Sequence, residues 1–177
     1  MYEIEDFIPK QYQDLIEEYA LQAHMKWNFN IGITSDNPYS NDQNIGFSCK
    51  FEPLTPHWNF FSTLVYLSAD KIKIDVKSLD RLQVNLLPNV NSQQKNLPHV
   101  DNKNPHMVML YYINDSDGDT LFYENNEISN SITPKKGKAV IFDGSTWHAS
   151  SYPKKNPYRL LVNANFNLQS ANIGAYR

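Results

Sequence analysis

The chain has 177 residues, 41% of them hydrophobic and 13% aromatic, with 11 Tyr, 9 Phe and 3 Trp; that is enough for one domain over 1–177 with one buried core, and it excludes disorder as the default for the chain. A formal net charge of −3 excludes a broad basic footprint, so nucleic acid is not an expected partner. The lone Cys49 excludes an intrachain disulfide and a thiolate zinc cage, and with an acidic Met1–Asp6 start and no apolar run near the ~18 residues of a membrane span, the expectation is a soluble, cytoplasmic protein without a membrane partner.

Tyr12, Leu15, Ile16 and Tyr19 fall at i, i+3, i+4 and i+7, with Pro9 suited to a first turn and Glu17 and Glu18 left for solvent, which predicts an amphipathic helix. Residues 28–56 are rich in turn formers, interrupted by a short strand from Ile45 to Phe51. Thr55-Pro56 then supplies an N-cap and first turn for a second helix carrying Phe60, Phe61, Leu64, Val65 and Leu67. After Asp70 the period changes to two, in Ile72/Ile74/Val76 and in Leu82/Val84/Leu86 alternating with Gln83 and Asn85, so strands follow. Residues 88–98 form a polar loop, and strands are expected over 107–113, 120–123, 139–142 and 160–166, separated by Asp- and Gly-rich turns. Helices first and many short strands afterwards predict a mainly β double-sheet jelly roll with N-terminal helices packed outside.

His99 and Asp101 are two apart, so on extended chain they point to one face and can grip a common ion. His148 follows a predicted strand. Two imidazoles and one carboxylate with positions left open suit non-haem Fe(II) and O2 chemistry. An H-x-D triplet is frequent by chance, however, and its bland reading is a loop histidine capped by an aspartate; His148 beside Trp147 reads equally well as a packed side chain. In the last strand Arg159, Leu161, Asn163 and Asn165 share one face. That face is either solvated, on an outer strand, or the interior of a barrel in which Arg159 holds a carboxylate with Asn163 nearby. His24, His57 and His106 have no partner in the pattern, Asp115, Asp117 and Asp119 read as a turn and not a calcium loop, and Lys135, Lys136 and Lys138 read as solvated.

The segments His99-Val100-Asp101-Asn102-Lys103-Asn104, Tyr111-Tyr112-Ile113-Asn114, Gly118-Asp119-Thr120-Leu121-Phe122, Pro134 to Phe142, Trp147-His148-Ala149 and Tyr158-Arg159 resemble, in that order, the prolyl hydroxylases of the 2-oxoglutarate and Fe(II)-dependent dioxygenase superfamily. The HVDN and YYIN segments are similar to the prolyl hydroxylases that act on hypoxia-inducible factor. The similarity covers residues 82–166. It implies Fe(II) on His99, Asp101 and His148, and 2-oxoglutarate as a co-substrate that chelates the metal. Arg159 would pair with its distal carboxylate, Tyr112 would donate to that same carboxylate, and Asn163 would lie beside it. The implied reaction uses O2 to hydroxylate a proline-containing peptide or protein, releasing succinate and CO2, with ascorbate as a candidate reductant.

Three positions depart from the family pattern. Leu87-Pro88 stands where a Tyr often precedes the proline, Asn165 where a Trp is frequent, and Gly118-Asp119 where two glycines are usual. The departures leave room for the same oxygenase chemistry on a free amino acid or another small molecule. Asn165 also stands where AlkB-like demethylases carry a second arginine, which disfavours a nucleobase. A non-catalytic jelly-roll binding module is the alternative from another class, disfavoured because binding alone does not need all four of His99, Asp101, His148 and Arg159. Residues 28–56 and 88–98 are the candidate lids.

Overall fold

A computed structural model describes residues 1–31, 44–90 and 95–169. Among the described residues there are ten strands and two α-helices: β1 Tyr2–Ile4, α1 Lys10–Leu21, β2 Asn28–Ile31, β3 Ile45–Lys50, α2 Pro56–Lys71, β4 Val76–Pro88, β5 Met107–Tyr112, β6 Thr120–Glu124, β7 Glu127–Ile132, β8 Ala139–Asp143, β9 His148–Ser150 and β10 Tyr158–Leu168. One seven-stranded sheet runs β1-β8-β5-β10-β4-β3-β2, and a three-stranded sheet runs β7-β6-β9. Every pairing is antiparallel. This is the expected mainly β jelly roll with the helices outside.

Period-two alternation sorts the side chains into two cores. Met109 and Tyr111 of β5 and Leu160, Val162, Ala164 and Phe166 of β10 join Ile16, Ala20, Phe61, Leu64 and Val65 of the helices. Val108, Leu110, Tyr112 and Leu161 instead meet Phe122 and Ile132 of the small sheet, with Val140 and Phe142. Burying each such side chain contributes about 1.5–3 kcal/mol relative to leaving it in water. β10 is therefore a central strand, between β5 and β4, and its Arg159, Asn163 and Asn165 are buried, not solvated.

Several local expectations are corrected. Pro9 caps α1, which begins at Lys10, and its inner face carries Gln13, Ile16 and Ala20. Leu15 is exposed; Gln13 is accepted inside because its Nε2 donates to the Ile8 carbonyl at 3.1 Å. Thr55 Oγ1 does cap α2, accepting from Trp58 N at 3.3 Å, but Leu67 is left exposed. Ile72 ends α2, and Lys73 turns the chain at φ 57°. The two strands expected from 72 onward are one, β4, starting at Val76. The turn-rich stretch 28–56 contains a hairpin, β2 pairing with β3. Parts of both candidate lids, residues 32–43 and 91–94, lie outside the described residues.

Side chains expected to be idle have partners. Tyr19 OH and His57 Nδ1 lie 2.8 Å apart, and the His57 ring stacks on His24 at 4.9 Å; burial and the neighbouring His24 lower the His57 pKa. His106 is buried, its Nδ1 donating to the Asn104 carbonyl at 2.7 Å. Lys136 bridges Asp14 and Glu17 of α1, and Lys138 pairs with Glu3 at 3.0 Å and Glu5 at 3.1 Å. These lysines tie the N-terminal segment to the sheet. The aspartates are turn anchors as expected: Asp117 accepts from the backbone N–H of Lys154, Lys155 and Asn156.

Candidate active site

His99 and His148 face each other across an isolated antiparallel bridge, each backbone N–H donating to the other's carbonyl at 2.9 and 3.0 Å. The rings therefore sit side by side, centroids 4.7 Å apart. Their Nδ1 atoms lie 3.1 Å from the Leu97 carbonyl and 3.0 Å from the Thr146 carbonyl. A carbonyl only accepts, so each Nδ1 carries the proton and each Nε2 keeps its lone pair for an electrophile. Asp101, two residues beyond His99, places Oδ1 at 3.7 Å from His99 Nε2 and 4.0 Å from His148 Nε2. The three donors lie within 4.8 Å of one another. An imidazole pair and a carboxylate oxygen converging on one point could hold a divalent ion such as Fe(II).

The electrostatics suit a cation there. Burial, then the electrostatic cost of charging a second imidazole beside His99, brings the His148 pKa down to about 4, so its imidazole is neutral and ligand-competent at neutral pH. Burial alone would raise the Asp101 carboxyl. The His99 contact, Arg81 and His148 outweigh it and hold the carboxyl well below the usual carboxylate range.

Sequence reasoning missed Arg81. Its Nη2 lies 2.6 Å from Asp101 Oδ2 and donates to Asn163 Oδ1 at 3.1 Å and Asn165 Oδ1 at 2.9 Å. Asn163, expected beside the co-substrate, thus belongs to the Arg81 and Asp101 group, with its Nδ2 3.5 Å from Asp101 Oδ2. The available signal was parity: Arg81 shares the polar face of β4 with Gln83 and Asn85.

Arg159 is 4% exposed. Its Nη2 donates to Thr120 Oγ1 at 2.7 Å, and Thr120 Oγ1 lies 2.7 Å from Tyr112 OH. The Tyr112 ring centroid is 5.8 Å from Arg159 Cζ. Tyr112 is on the interior face, as the family pattern implies, but its hydroxyl is occupied by Thr120, a residue the sequence reading gave no role. Arg159 Nε is buried without a hydrogen-bond partner, and among the described residues no carboxylate pairs with the guanidinium. A buried unpaired cation is costly, and an anion entering from outside would relieve it.

These groups line one cavity of about 590 Å³ that contains His99, Asp101, His148, Thr120 and Arg159, with Leu110 and Leu161 also on its wall. The size and the mixture of an apolar wall with a few convergent polar groups suit a small-molecule site. Leu87 also lines it, so no hydroxyl occupies the place of the family's tyrosine. Asp119 accepts from Ser131 Oγ and Thr133 Oγ1, both at 2.8 Å, which gives this non-glycine a structural task.

Residues 82–167 match the family described as the 2OG-Fe(II) oxygenase superfamily. Among solved structures, an oxidoreductase of the 2OG-Fe(II) oxygenase family from Burkholderia pseudomallei is similar with a TM-score of 0.70 and 13% identity over 93% of this chain and 84% of that one. A prolyl hydroxylase from Trichoplax adhaerens, in complex with a hypoxia inducible factor oxygen degradation domain peptide fragment, has a TM-score of 0.69 and 16% identity over 94% and 82%. The non-heme alpha ketoglutarate dependent epimerase SnoN from nogalamycin biosynthesis has a TM-score of 0.66 and 12% identity over 93% and 77%. No curated protein sequence matches the chain.

Proposed function

We propose that this chain, which over residues 82–167 belongs to the 2OG-Fe(II) oxygenase superfamily, is a peptidyl-prolyl hydroxylase. The family uses Fe(II) and 2-oxoglutarate. The observation that carries the reading is the combination, in one cavity, of a three-donor cluster with the buried Arg159, which among the described residues has no carboxylate partner. On this reading His99, Asp101 and His148 hold the metal, and bound Fe(II) supplies the oxidising chemistry with O2 and 2-oxoglutarate.

The protein's part is binding, orientation and exclusion of water. Carbonyls behind the two Nδ1 atoms lock the tautomers, so neither histidine has to lose a proton or turn when the metal enters. Arg159 receives the distal carboxylate of the co-substrate, with Thr120 holding the guanidinium and Tyr112 holding Thr120. Leu110 and Leu161 suit the two methylenes between the ends of 2-oxoglutarate and keep water from the chelate. Proline as the target is supported by the HVDN and YYIN segments and by the peptide-bound Trichoplax neighbour.

Incubation with Fe(II), 2-oxoglutarate, ascorbate, O2 and proline-rich peptides is expected to yield succinate and peptides heavier by one oxygen. Asp101→Ala is expected to abolish both. Turnover of 2-oxoglutarate without oxygen gain on any peptide would leave the oxygenase and remove the prolyl target. The polar residues Asn30, Ser48, Gln83 and Asn85 around the same cavity favour a second reading, a compact polar substrate such as a free amino acid, which parallel incubations test. If Asp101→Ala leaves Fe(II) affinity unchanged, the metal-site assignment is wrong and a binding module gains.

A further inference from the structure

We infer that Arg81 is a positioning residue that keeps Asp101 a one-oxygen ligand and thereby preserves the open positions on the metal. The inference rests on the reading of His99, Asp101 and His148 as the ligand set. A carboxylate can bind a divalent ion through one oxygen or through both. In this site the two oxygens have different surroundings: Oδ1 faces the two imidazole Nε2 atoms, and Oδ2 lies 2.6 Å from Arg81 Nη2. An ion pair at that distance, with the carboxylate buried, is costly to separate. Turning the carboxylate to offer both oxygens would break it.

Arg81 is itself held. β4 and β10 pair with Arg81 opposite Asn165 and Gln83 opposite Asn163, and both asparagine oxygens accept from Nη2. The Asp101 side chain is 5% exposed and that of Arg81 25%, so water screens the pair little and cannot easily replace Oδ2's partner. The departure at Asn165 gains a reason: where the family often has an indole, this chain has the amide that holds Arg81 against the carboxylate.

The consequence is a matter of coordination number. A six-coordinate ion held by His99, His148 and one oxygen of Asp101 would keep three positions for small ligands; with both oxygens bound it would keep two, which a chelating 2-oxoglutarate alone would fill. Arg81 thus separates metal affinity from the capacity to take a further small ligand beside bound 2-oxoglutarate, which a residue that merely supports the fold would not do.

The test uses the full chain loaded with Co(II) as a spectroscopic probe. Arg81→Met keeps the aliphatic stem and removes the charge and donors; Arg81→Lys keeps the charge. Arg81→Met is expected to bind Co(II) no more weakly than wild type, to show weaker visible bands as coordination number rises, and, with 2-oxoglutarate bound, to take up azide about tenfold more weakly by visible titration, the lower end of what such supporting partners contribute. Arg81→Lys is expected to recover most of that loss. Unchanged azide uptake, equal losses of Co(II) and azide, or a loss without the spectral change would each overturn the inference. Should Arg81→Met fail to fold, Asn165→Leu must give the same split at smaller size, and wild-type behaviour there overturns it. Loss of Co(II) binding in Asp101→Ala with wild-type behaviour in both Arg81 variants refutes only the positioning role, whereas Co(II) binding intact in Asp101→Ala refutes the ligand set.

Discussion

Gly118→Ala tests whether the loop before β6 is coupled to Arg159. A Cβ on Gly118 would lie 2.7 Å from the Ser151 carbonyl oxygen, 2.9 Å from Pro153 N and 3.2 Å from Arg159 Cδ. The first two atoms are backbone and cannot rotate away, so either the 151–153 segment or the Gly118 turn must shift. Gly118 is absent from the positive-φ positions, so the cost is steric and not conformational. Overpacking of this kind costs roughly 1–3 kcal/mol. At about 2–4 °C per kcal/mol for a chain of this size, the expected fall in Tm is roughly 5 °C. The third contact links the methyl to function, because pressure on Cδ displaces a guanidinium whose Nη2 is 2.7 Å from Thr120 Oγ1. A several-fold rise in the Kd for 2-oxoglutarate on metal-loaded protein should accompany the fall in Tm. A wild-type Tm would refute the steric argument. A lowered Tm with unchanged 2-oxoglutarate affinity would refute the coupling to Arg159.

Two further outcomes follow from the charges. The His148 pKa falls from an ordinary 6.5 to about 4, so below pH ~6.5 the unfolded chain takes up a proton that the folded site refuses until near pH 4. Stability of the metal-free protein is therefore fully present above pH ~6.5 and declines as pH falls toward 4, by about 3 kcal/mol at most at 1.36 kcal/mol per pKa unit. Asp101, also depressed, adds to the loss only below its ordinary 3.8. Urea midpoints that stay flat between pH 6.5 and 4.5 would contradict this. Asp117→Ala releases the N–H groups of Lys154, Lys155 and Asn156 at a partly exposed site, for which about 1–2 kcal/mol and a Tm lower by a few degrees are expected by calorimetry. An unchanged Tm would mean that water replaces the carboxylate at no cost.

Elements with one apolar face were legible because a local period marks them. Thr55-Pro56 placed the start of α2, the continuous apolar and aromatic run 107–113 placed β5, and the alternation in 159–166 placed β10. β7 was not legible because five of its six residues, Glu127 to Ser131, are exposed and need no apolar alternation. Its signal lay in the turn: Asn125 and Asn126 both have positive φ, 51° and 67°, the hairpin geometry that such asparagines favour. β1 was missed for another reason. Three residues are too few to show a period, and the segment is fixed by distant partners, Tyr2–Ile4 against Ala139–Ile141 and Lys138 on Glu3 and Glu5. The helix faces erred by about one position, at Leu15 and Leu67, because a helix rotated slightly changes which flank is wet while keeping the same stripe.

The same distinction between local pattern and distant register decides what could be read of the site. His99 and Asp101 are legible because an H-x-D spacing on extended chain constrains two side chains at once, and Arg159 because parity puts it opposite an apolar face. Arg81 has no such neighbour. Its partners lie 20, 82 and 84 residues away, at Asp101, Asn163 and Asn165, and only the β4–β10 register brings them together. Yet the polar faces of both strands were visible as Gln83/Asn85 and Asn163/Asn165, and extending the first by one step reaches Arg81. What hid the connection was the ordinary assumption that a strand's polar face looks at water and its apolar face at the core. With helices covering one side of the large sheet, Leu82, Val84, Val162 and Ala164 are buried against them, and the polar faces of β4 and β10 turn toward the cavity between the sheets. Interior amides and guanidinium groups must find partners there, so two facing polar strands in a jelly roll are themselves a prediction of a site.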